Sequence, residues 1–538
     1  MSKPFATVLD SRTSLKNETG SWRTNRPCYV HRLPPCNVTC PAGENIQQWL
    51  SFAQEGKFLS AWQEMVTNNP FPATMGRVCY HTCEKACNRD QYDGAVNINL
   101  LERSIGDMAI AQNWQFEPVQ SSHNKKVLII GAGPSGLSAA YFLKKFGYDV
   151  TVYESHKLPG GMMRYGVPAY RLPRRVLDAE IKRIENLGVK IICEKKVNKL
   201  KDEIDKFDAV YLAIGANVAS PTNIDIEGYS NVIDAIDFFK KLEDKQMDNI
   251  HLGNKVLVYG GGNTAIDAAR SALRLGAKSV KIAYRKTINE MPAHETEIQE
   301  ALSEGVEILC LRVITSIIHN RVVFDKMKYD SEQRILSKTG ESESFIADSV
   351  IFAIGQSVES EILAEMDEIK VSDKGLVEVD ANMMTSKKGV FAGGDLIPGK
   401  RTVTNAIGYG KKAAKCIDAY LQDKEVVKNP KNEVANFKKL NLEYYASDKR
   451  KEVSRLGDLI FDEKDVSYTS AEAIKEASRC MSCGNCFHCD NCYSYCPDNA
   501  IIKHEDGTLE FNYDYCKGCG ICATECPCGA IVMKPDDK

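Results

Sequence analysis

The capacity of this chain for chemistry is concentrated in its cysteines. Of 20, six lie in the first 87 residues, eleven lie between Cys480 and Cys528, and only three fall in between. The opening stretch MSKPFATVLDSRTSLKNETG lacks the charged start and apolar core of a secretion signal. A reducing, cytoplasmic location is therefore expected, where close-spaced thiols are metal ligands rather than disulfides. Near the C-terminus a C-x2-C-x2-C-x3-C-P run occurs twice: Cys486, Cys489, Cys492 and Cys496 before Pro497, then Cys516, Cys519, Cys522 and Cys526 before Pro527. Such runs hold two 4Fe-4S clusters, with the fourth cysteine of each run serving the other cluster. This predicts one set of Cys486, Cys489, Cys492 and Cys526, and another of Cys516, Cys519, Cys522 and Cys496. Zinc sites use paired C-x2-C knuckles instead. Cys480, Cys483 and Cys528 are left over, as alternative ligands or as redundant thiols. Near the N-terminus Cys79, Cys83 and Cys87 recur every four residues, as on one face of a helix, and with Cys40 they make a further four-thiolate set.

Two segments carry the pattern of dinucleotide binding. KKVLIIGAGPSGLSAAYFLKKFGYDVTVYES reads as strand, glycine turn, helix and second strand. Gly131 permits the tight turn, Gly133 admits a pyrophosphate, Gly136 allows close helix packing, and Glu154 is placed for a ribose hydroxyl. KVLVYGGGNTAIDAARSALRLGAKSVKIAYRK repeats the unit, with Gly260, Gly262 and Ala265 in the corresponding positions and Asn263 and Thr264 opening the helix. Its second strand ends in Arg285 and Lys286 rather than an acid, which favours the 2'-phosphate of NADP(H) over NAD(H). Two such sites in one chain imply a flavin beside a nicotinamide. The segment GVFAGGDLIPGKRTVTNAIGYGKKAA, with Gly394, Asp395 and a helix starting near Thr404, resembles the flavin-closing segment of the two-dinucleotide-domain flavoproteins. That resemblance assigns FAD to the first unit and splits its domain around the second. Cys193, Cys310 and Cys416 are isolated, and no C-x2-C or C-x4-C occurs between residues 88 and 479. Disulfide reduction is not expected, and these three read as small buried apolar groups.

The elements that must position these residues occupy 538 residues, enough for several cores, with a net charge of -3 that provides no general attraction for nucleic acid. No apolar run approaches the roughly 18 residues of a membrane span. The stretches PPCNVTCPAGENIQQWL, GRVCYHTCEKACNRD, GAVNINLLERSIGD and GGMMRYGVPAYRLP resemble, nearly in order, the glutamate synthase small subunit and the N-terminal half of dihydropyrimidine dehydrogenase, from about residue 28 to 425. The resemblance implies one N-terminal cluster on Cys40, Cys79, Cys83 and Cys87. A second would draw on Cys28, His31, Cys36 and Glu102, and hydride exchange would take place near Gly161, Arg164 and Asp395. The wording CPDNAI and YDYCKGCGICATECP is similar to the ferredoxin-like delta subunit of 2-oxoacid:ferredoxin oxidoreductases.

The expected architecture is multidomain α/β. An α-helical iron-sulfur domain covers 1–121, a split Rossmann-like FAD domain 122–218 and 350–425, and an inserted Rossmann-like NAD(P) domain 219–349. A linker at 426–478 leads to an α+β bacterial-type ferredoxin domain at 479–538. The expected cofactors are FAD, NADP(H) or NAD(H), two C-terminal 4Fe-4S clusters and one or two N-terminal ones. No catalytic acid-base residue is required, since the flavin carries the hydride. The substrate chemistry is expected in a partner, either the TPP-binding subunits of a 2-oxoacid oxidoreductase or a glutamate synthase large subunit; the alternative is a stand-alone NAD(P)H:ferredoxin or NAD(P)H:acceptor oxidoreductase.

Overall fold

The computed structural model describes residues 18–536 apart from 121, 221, 223, 229–230, 245–249, 331–334, 360, 364–365, 367, 428–431, 452–459 and 464–465. Most of the opening stretch read for a secretion signal, and parts of the expected linker, lie outside the described residues. Amphipathic helices Ile46–Gln54, Phe58–Val66, Pro72–Val78 and Ile98–Ala111 bury Trp49, Trp62, Met65, Phe71 and Leu101 in the N-terminal core. That core is continuous with the one beneath the first dinucleotide sheet. Glu180, fully buried, accepts the amides of Ala73 and Thr74 at 2.8 and 2.9 Å and so caps helix Pro72–Val78 from the neighbouring domain.

The first sheet runs Val390–Ala392, Ala209–Leu212, Lys126–Ile130, Asp149–Tyr153, Lys190–Ile192, all parallel. Its near-continuous Val, Ile, Leu and Tyr content suits a sheet covered on both faces. The second runs Glu307–Cys310, Ser279–Tyr284, Lys255–Tyr259, Ser349–Phe352, Val232–Asp234, also parallel. Here the expected boundary at 350 moves. Ser349–Phe352 is a central strand of the second sheet, paired with Lys255–Tyr259 and Val232–Asp234, so it cannot open the return to the first domain. The crossing lies just beyond, where Gln356–Ser357 pairs antiparallel with Val218–Ala219. A further sheet built from Arg312–Ile318, Arg321–Asp330, Ile335–Ile346 and Asp225–Glu227 extends the inserted unit.

The two chain ends are exchanged between modules. Strand Asn25–Tyr29 pairs antiparallel with Ile531–Pro535, setting Cys28 opposite Val532, so this strand belongs to the C-terminal unit and not to the helical domain expected over 1–121. Conversely, helix Ser470–Ala477, started by a capping box between Thr469 and Glu472, packs against helices Ile46–Gln54 and Ile98–Ala111. The end of the expected linker is thus a structural part of the N-terminal domain. The C-terminal unit has short helices Asn491–Ser494 and Ile521–Thr524, a hairpin of Ile501–Lys503 with Leu509–Phe511, and a core of cysteines, Ile501, Phe511 and Ile531. Tyr29 stacks on Phe511 at 4.6 Å between ring centroids.

Candidate functional site

A cavity of about 530 Å³ opens at the C-terminal ends of the first sheet's strands and reaches the second domain, the position where open α/β sheets bind ligands. Strand Lys126–Ile130 ends on Gly131, whose φ of +106° and whose approach to the Ala213 carbonyl, 2.4 Å from where a Cβ would stand, admit glycine alone. Helix Pro134–Lys145 follows with Gly133 at its N-cap and proline at its first position. Gly131, Gly133, Glu154, Gly161, Gly394 and Asp395 all line the cavity. The Glu154 carboxylate accepts the Ala132 amide at 2.8 Å and the His156 amide at 2.8 Å. Burial pushes that carboxyl up, but the hydrogen bonds from His156 and Ala132 outweigh it and hold Glu154 below the usual range, so it stays ionised. Asp395 moves the other way: burial raises its pKa against the opposing charge of Arg401.

Gly136 does not face the cavity; it is where helix meets strand, with a Cβ position 1.9 Å from the Gly131 oxygen. Two expected flavin residues are placed elsewhere. Arg164 is 2% exposed and its guanidinium is committed to the Pro159 carbonyl at 2.7 Å, to Glu243 at 3.2 Å and to Asp178. The short helix Met162–Tyr165 turns Met162 and Tyr165 to the cavity and leaves Arg164 on the opposite side. Thr404 is buried and its hydroxyl points to Met75 Sδ at 3.6 Å, while its neighbours Val403 and Ala406 line the cavity.

From the second domain, Asn263 and Thr264 at the start of helix Asn263–Arg274 reach the same cavity. Asn263 accepts the His294 amide at 2.7 Å and donates to the Tyr80 hydroxyl, tying the inserted domain to the N-terminal one. A Cβ on Gly262 would meet open space, the clearance that a pyrophosphate needs, whereas one on Gly260 would stand 2.2 Å from the Ala353 oxygen. Arg285 is exposed past the end of strand Ser279–Tyr284, and Lys286 pairs with Glu290 at 3.8 Å. Sequence reasoning missed Tyr80, Arg401 and the Lys195–Lys199 segment, which also line the cavity. None carries a motif, and only the tertiary fold brings them there.

Fifteen of the 20 thiols fall into four groups, with Cys28, Cys193, Cys310, Cys416 and Cys528 outside them, and all are free of disulfides. Cys486, Cys489, Cys492 and Cys526 lie within electrostatic range of one another, and Cys516, Cys519, Cys522 and Cys496 do likewise, with Cys522 also near Cys492 and Cys528 Sγ 3.7 Å from Cys526 Sγ. The Ala500 amide donates to Cys496 Sγ at 3.3 Å and the Ala530 amide to Cys526 Sγ at 3.2 Å, contacts of the kind that raise cluster potentials. The N-terminal thiols are arranged differently from the expected sets, and not along one helix: Cys79 ends helix Pro72–Val78, Cys83 lies in the turn Thr82–Lys85 and Cys87 precedes the turn Asn88–Gln91. Cys83 lies near Cys79 and Cys40, with Glu84 and Glu102, and not Cys87, as its other charged neighbours. Cys87 instead neighbours Cys36, beside Cys480 and Cys483. Nor do Cys28 and His31 join Cys36: Cys28 Sγ sits 4.0 Å from the Tyr513 hydroxyl on the strand shared with the C-terminal unit, and His31 is exposed. The reason is the displaced N-terminal strand, which carries Cys28 away from the helical domain.

Glu102 is buried and bonded to Asn69 at 3.0 Å; burial first, then the Glu44 carboxylate, push its pKa well up. Burial likewise pushes the Cys79 thiol up against a hydrogen bond from Thr404. Buried thiols of this kind ionise when a metal takes the charge, so the donor sets fit iron-sulfur clusters. Among the described residues no three His, Cys, Asp or Glu side chains converge as a single ion requires. One tetrahedral zinc would need that convergence, whereas the corner irons of a cubane hold their thiolates farther apart. Among the described residues no cysteine lines the flavin cavity.

A dinucleotide cavity spanning two Rossmann-like domains, flanked by thiolate sets at both chain ends, defines an NAD(P)H-dependent oxidoreductase that uses FAD and 4Fe-4S clusters. The chain belongs to the pyridine nucleotide-disulphide oxidoreductase family, which matches residues 125–410. A dihydropyrimidine dehydrogenase domain II with a 4Fe-4S cluster matches 8–114, and a 4Fe-4S dicluster domain matches 485–530. The chain is 35% identical over 426 residues to the NADP(+)-dependent formate dehydrogenase subunit beta of Moorella thermoacetica, covering 72% of this chain and 60% of that protein's length. It is 33% identical over 543 residues to the NADPH-Fe(3+) oxidoreductase subunit beta of Geobacter sulfurreducens, covering 88% and 80%. To the NAD-dependent dihydropyrimidine dehydrogenase subunit PreT of Escherichia coli it is 32% identical over 422 residues, covering 78% and 98%. No described helix is long and apolar enough to cross a membrane.

Proposed function

We propose that the chain is a cytoplasmic electron-transfer subunit that takes hydride from NADPH and delivers single electrons through its iron-sulfur sites to a partner that carries the substrate chemistry. The observation that carries this reading is at residues 78–80. Val78 and Tyr80 line the flavin cavity, while Cys79 between them turns to the thiolate set with Cys40 and Cys83 and meets Thr404 of the helix whose Val403 faces the cavity. Dinucleotide and cluster sites are thus separated by one residue's thickness of backbone. Bound FAD accepts two electrons as hydride and releases them one at a time. The residues of the chain would hold and insulate it: Gly131 and Gly133 leave room for the pyrophosphate, Glu154 stays ionised and would take ribose hydroxyls, and Asp395, which lines the same cavity, would face the ribityl side as the resemblance implies.

The relatives named as beta subunits support a partner-dependent role, and the ferredoxin-like run at 486–527 favours a 2-oxoacid oxidoreductase as that partner. Anaerobic titration with NADPH tests the central claim: flavin absorbance should bleach and cluster absorbance fall with it, and clusters that stay oxidised beside a reduced flavin would sink it. Co-purification with a TPP-binding subunit supports the 2-oxoacid partner; a large glutamine-hydrolysing subunit would replace it with glutamate synthase. Arg285 provides the cofactor preference. Arg285→Glu is expected to raise the KM for NADPH about tenfold, the worth of one ion contact of about 1.4 kcal/mol, and to leave the KM for NADH nearly unchanged. Equal change with both nucleotides would remove Arg285 from that role.

A further inference from the structure

We propose that Cys36, Cys87, Cys480 and Cys483 form an additional 4Fe-4S site, closed by both ends of the chain, that links the cluster beside the flavin to the pair in the C-terminal unit. Its relay role rests on the function proposed above.

Cys480 and Cys483 stand in a C-x2-C just after helix Ser470–Ala477, which is docked on the N-terminal helices. Their loop is held in place by buried hydrogen bonds. Arg479, 3% exposed, donates to the carbonyls of Ala95 at 3.1 Å, Gly94 at 2.6 Å and Asp448 at 2.8 Å, and pairs with Glu476 at 2.7 Å. Arg89, equally buried and two residues past Cys87, donates to the Arg479 carbonyl. The Arg32 amide donates to the Gly484 oxygen at 3.1 Å, four residues before Cys36. Asn88, next to Cys87, donates to the Ala435 carbonyl at 3.2 Å and also reaches the Cys483 thiol. Residues next to Cys87, Cys480 and Cys483, and Arg32 four residues before Cys36, are therefore tied to the opposite part of the chain.

The four thiols meet in the enclosed space that results. Burial pushes the Cys36 thiol far up, and its next neighbours in influence are Cys480, Cys87 and Cys483. Cys480 and Cys483, three residues apart, both have Cys87 as a neighbour. All four side chains are half-buried, free of disulfides and drawn from both chain ends. On binding a preassembled core of four irons and four sulfides in the 2+ state they release four protons, leaving a net charge of two minus. Arg89 is the positive charge that acts on Cys480.

The position suits a relay. Cys36 is four residues from Cys40, Cys87 four from Cys83, and Cys483 three from Cys486. Even fully extended, such segments span no more than about 14 Å. Each hop moves one electron, oxidising the donor cluster as it reduces the acceptor, so the two electrons of one NADPH pass in two successive hops.

The test is a Cys480→Ser/Cys483→Ser double variant, with Cys36→Ser from the other chain end and Cys28→Ser as the rival assignment. All are purified anaerobically as the full chain, with iron, labile sulfide, flavin and thermal melting measured. Both the double variant and Cys36→Ser should lose about four iron and four sulfide per chain, keep FAD, and lack the same electron paramagnetic resonance signal after dithionite reduction. Unchanged iron in either would overturn the site, as would loss of that signal from Cys28→Ser. Unchanged iron with two fewer titratable thiols in the wild type would identify a Cys480–Cys483 disulfide instead. The relay role predicts that NADPH reduces the flavin of the double variant while reduction of its C-terminal clusters slows at least about a hundredfold. Wild-type speed there would remove the relay role and leave the site. Failure of NADPH to reduce any cluster in the wild type would sink the proposed function without touching the iron count.

Discussion

Gly136→Ala is expected to bind FAD about a hundredfold more weakly while the thiolate sets still load with iron. Alanine is the better helix former by about 1 kcal/mol, so any loss must be steric. The new Cβ would stand 1.9 Å from the Gly131 oxygen and 3.2 Å from Ile129 Cγ2. Both atoms belong to the strand and turn at the centre of the sheet and have no room to yield. The helix must lift, and its N-terminal amides move off the pyrophosphate they would hold. Overpacking of this kind costs about 3 kcal/mol, or about a hundredfold in affinity. Flavin-to-protein ratio after gel filtration, with a fluorescence titration of added FAD, measures the loss. Stoichiometric flavin in the variant would show that the third glycine is dispensable.

The second large effect is expected at Cys83. Its side chain is buried near Cys79 and Cys40, with the carboxyls of Glu84 and Glu102 beside it. Glu84 is taken up by the Asn99 amide and Arg450, so Cys83→Ser leaves two thiolates and a Glu102 carboxyl whose pKa is already raised by burial and by Glu44. Such a set does not retain a cubane. The variant should lose about four iron, and NADPH should still bleach its flavin because no residue of the dinucleotide cavity has changed. Transfer onward to the remaining clusters should slow at least about a hundredfold, while a two-electron dye accepts hydride equivalents at close to the wild-type rate. Stopped-flow absorbance separates the two steps, and an undiminished second step would place the exit from the flavin elsewhere.

What the sequence revealed and what it concealed divide along the range of the interaction. The glycine turns, the acid at Glu154 and the two C-terminal cysteine runs are local patterns, in which spacing along the chain equals placement in space. The exchange between Cys87 and Glu102 is not of that kind. Cys87 lies four residues from Cys83 and Glu102 nineteen, and the choice is made by Cys480 and Cys483, which approach Cys87 from nearly 400 residues away and Cys36 from about 445. The resemblance places Arg164 near the flavin, yet its position in the short helix Met162–Tyr165 sends it to Glu243 and Asp178. The boundary near 350 was obscured by a strand that reads identically in either parallel sheet; only its partners at Val256–Tyr259 assign it to the inserted domain.

The pairing of Asn25–Tyr29 with Ile531–Pro535 also sets a schedule for biogenesis. The first of these strands leaves the ribosome roughly 500 residues before its mate, an interval of about 25 to 100 s at ordinary elongation rates. The dinucleotide domains can fold in that time, but the last unit cannot close its sheet, and its metal centres must be installed after the rest of the molecule has taken shape.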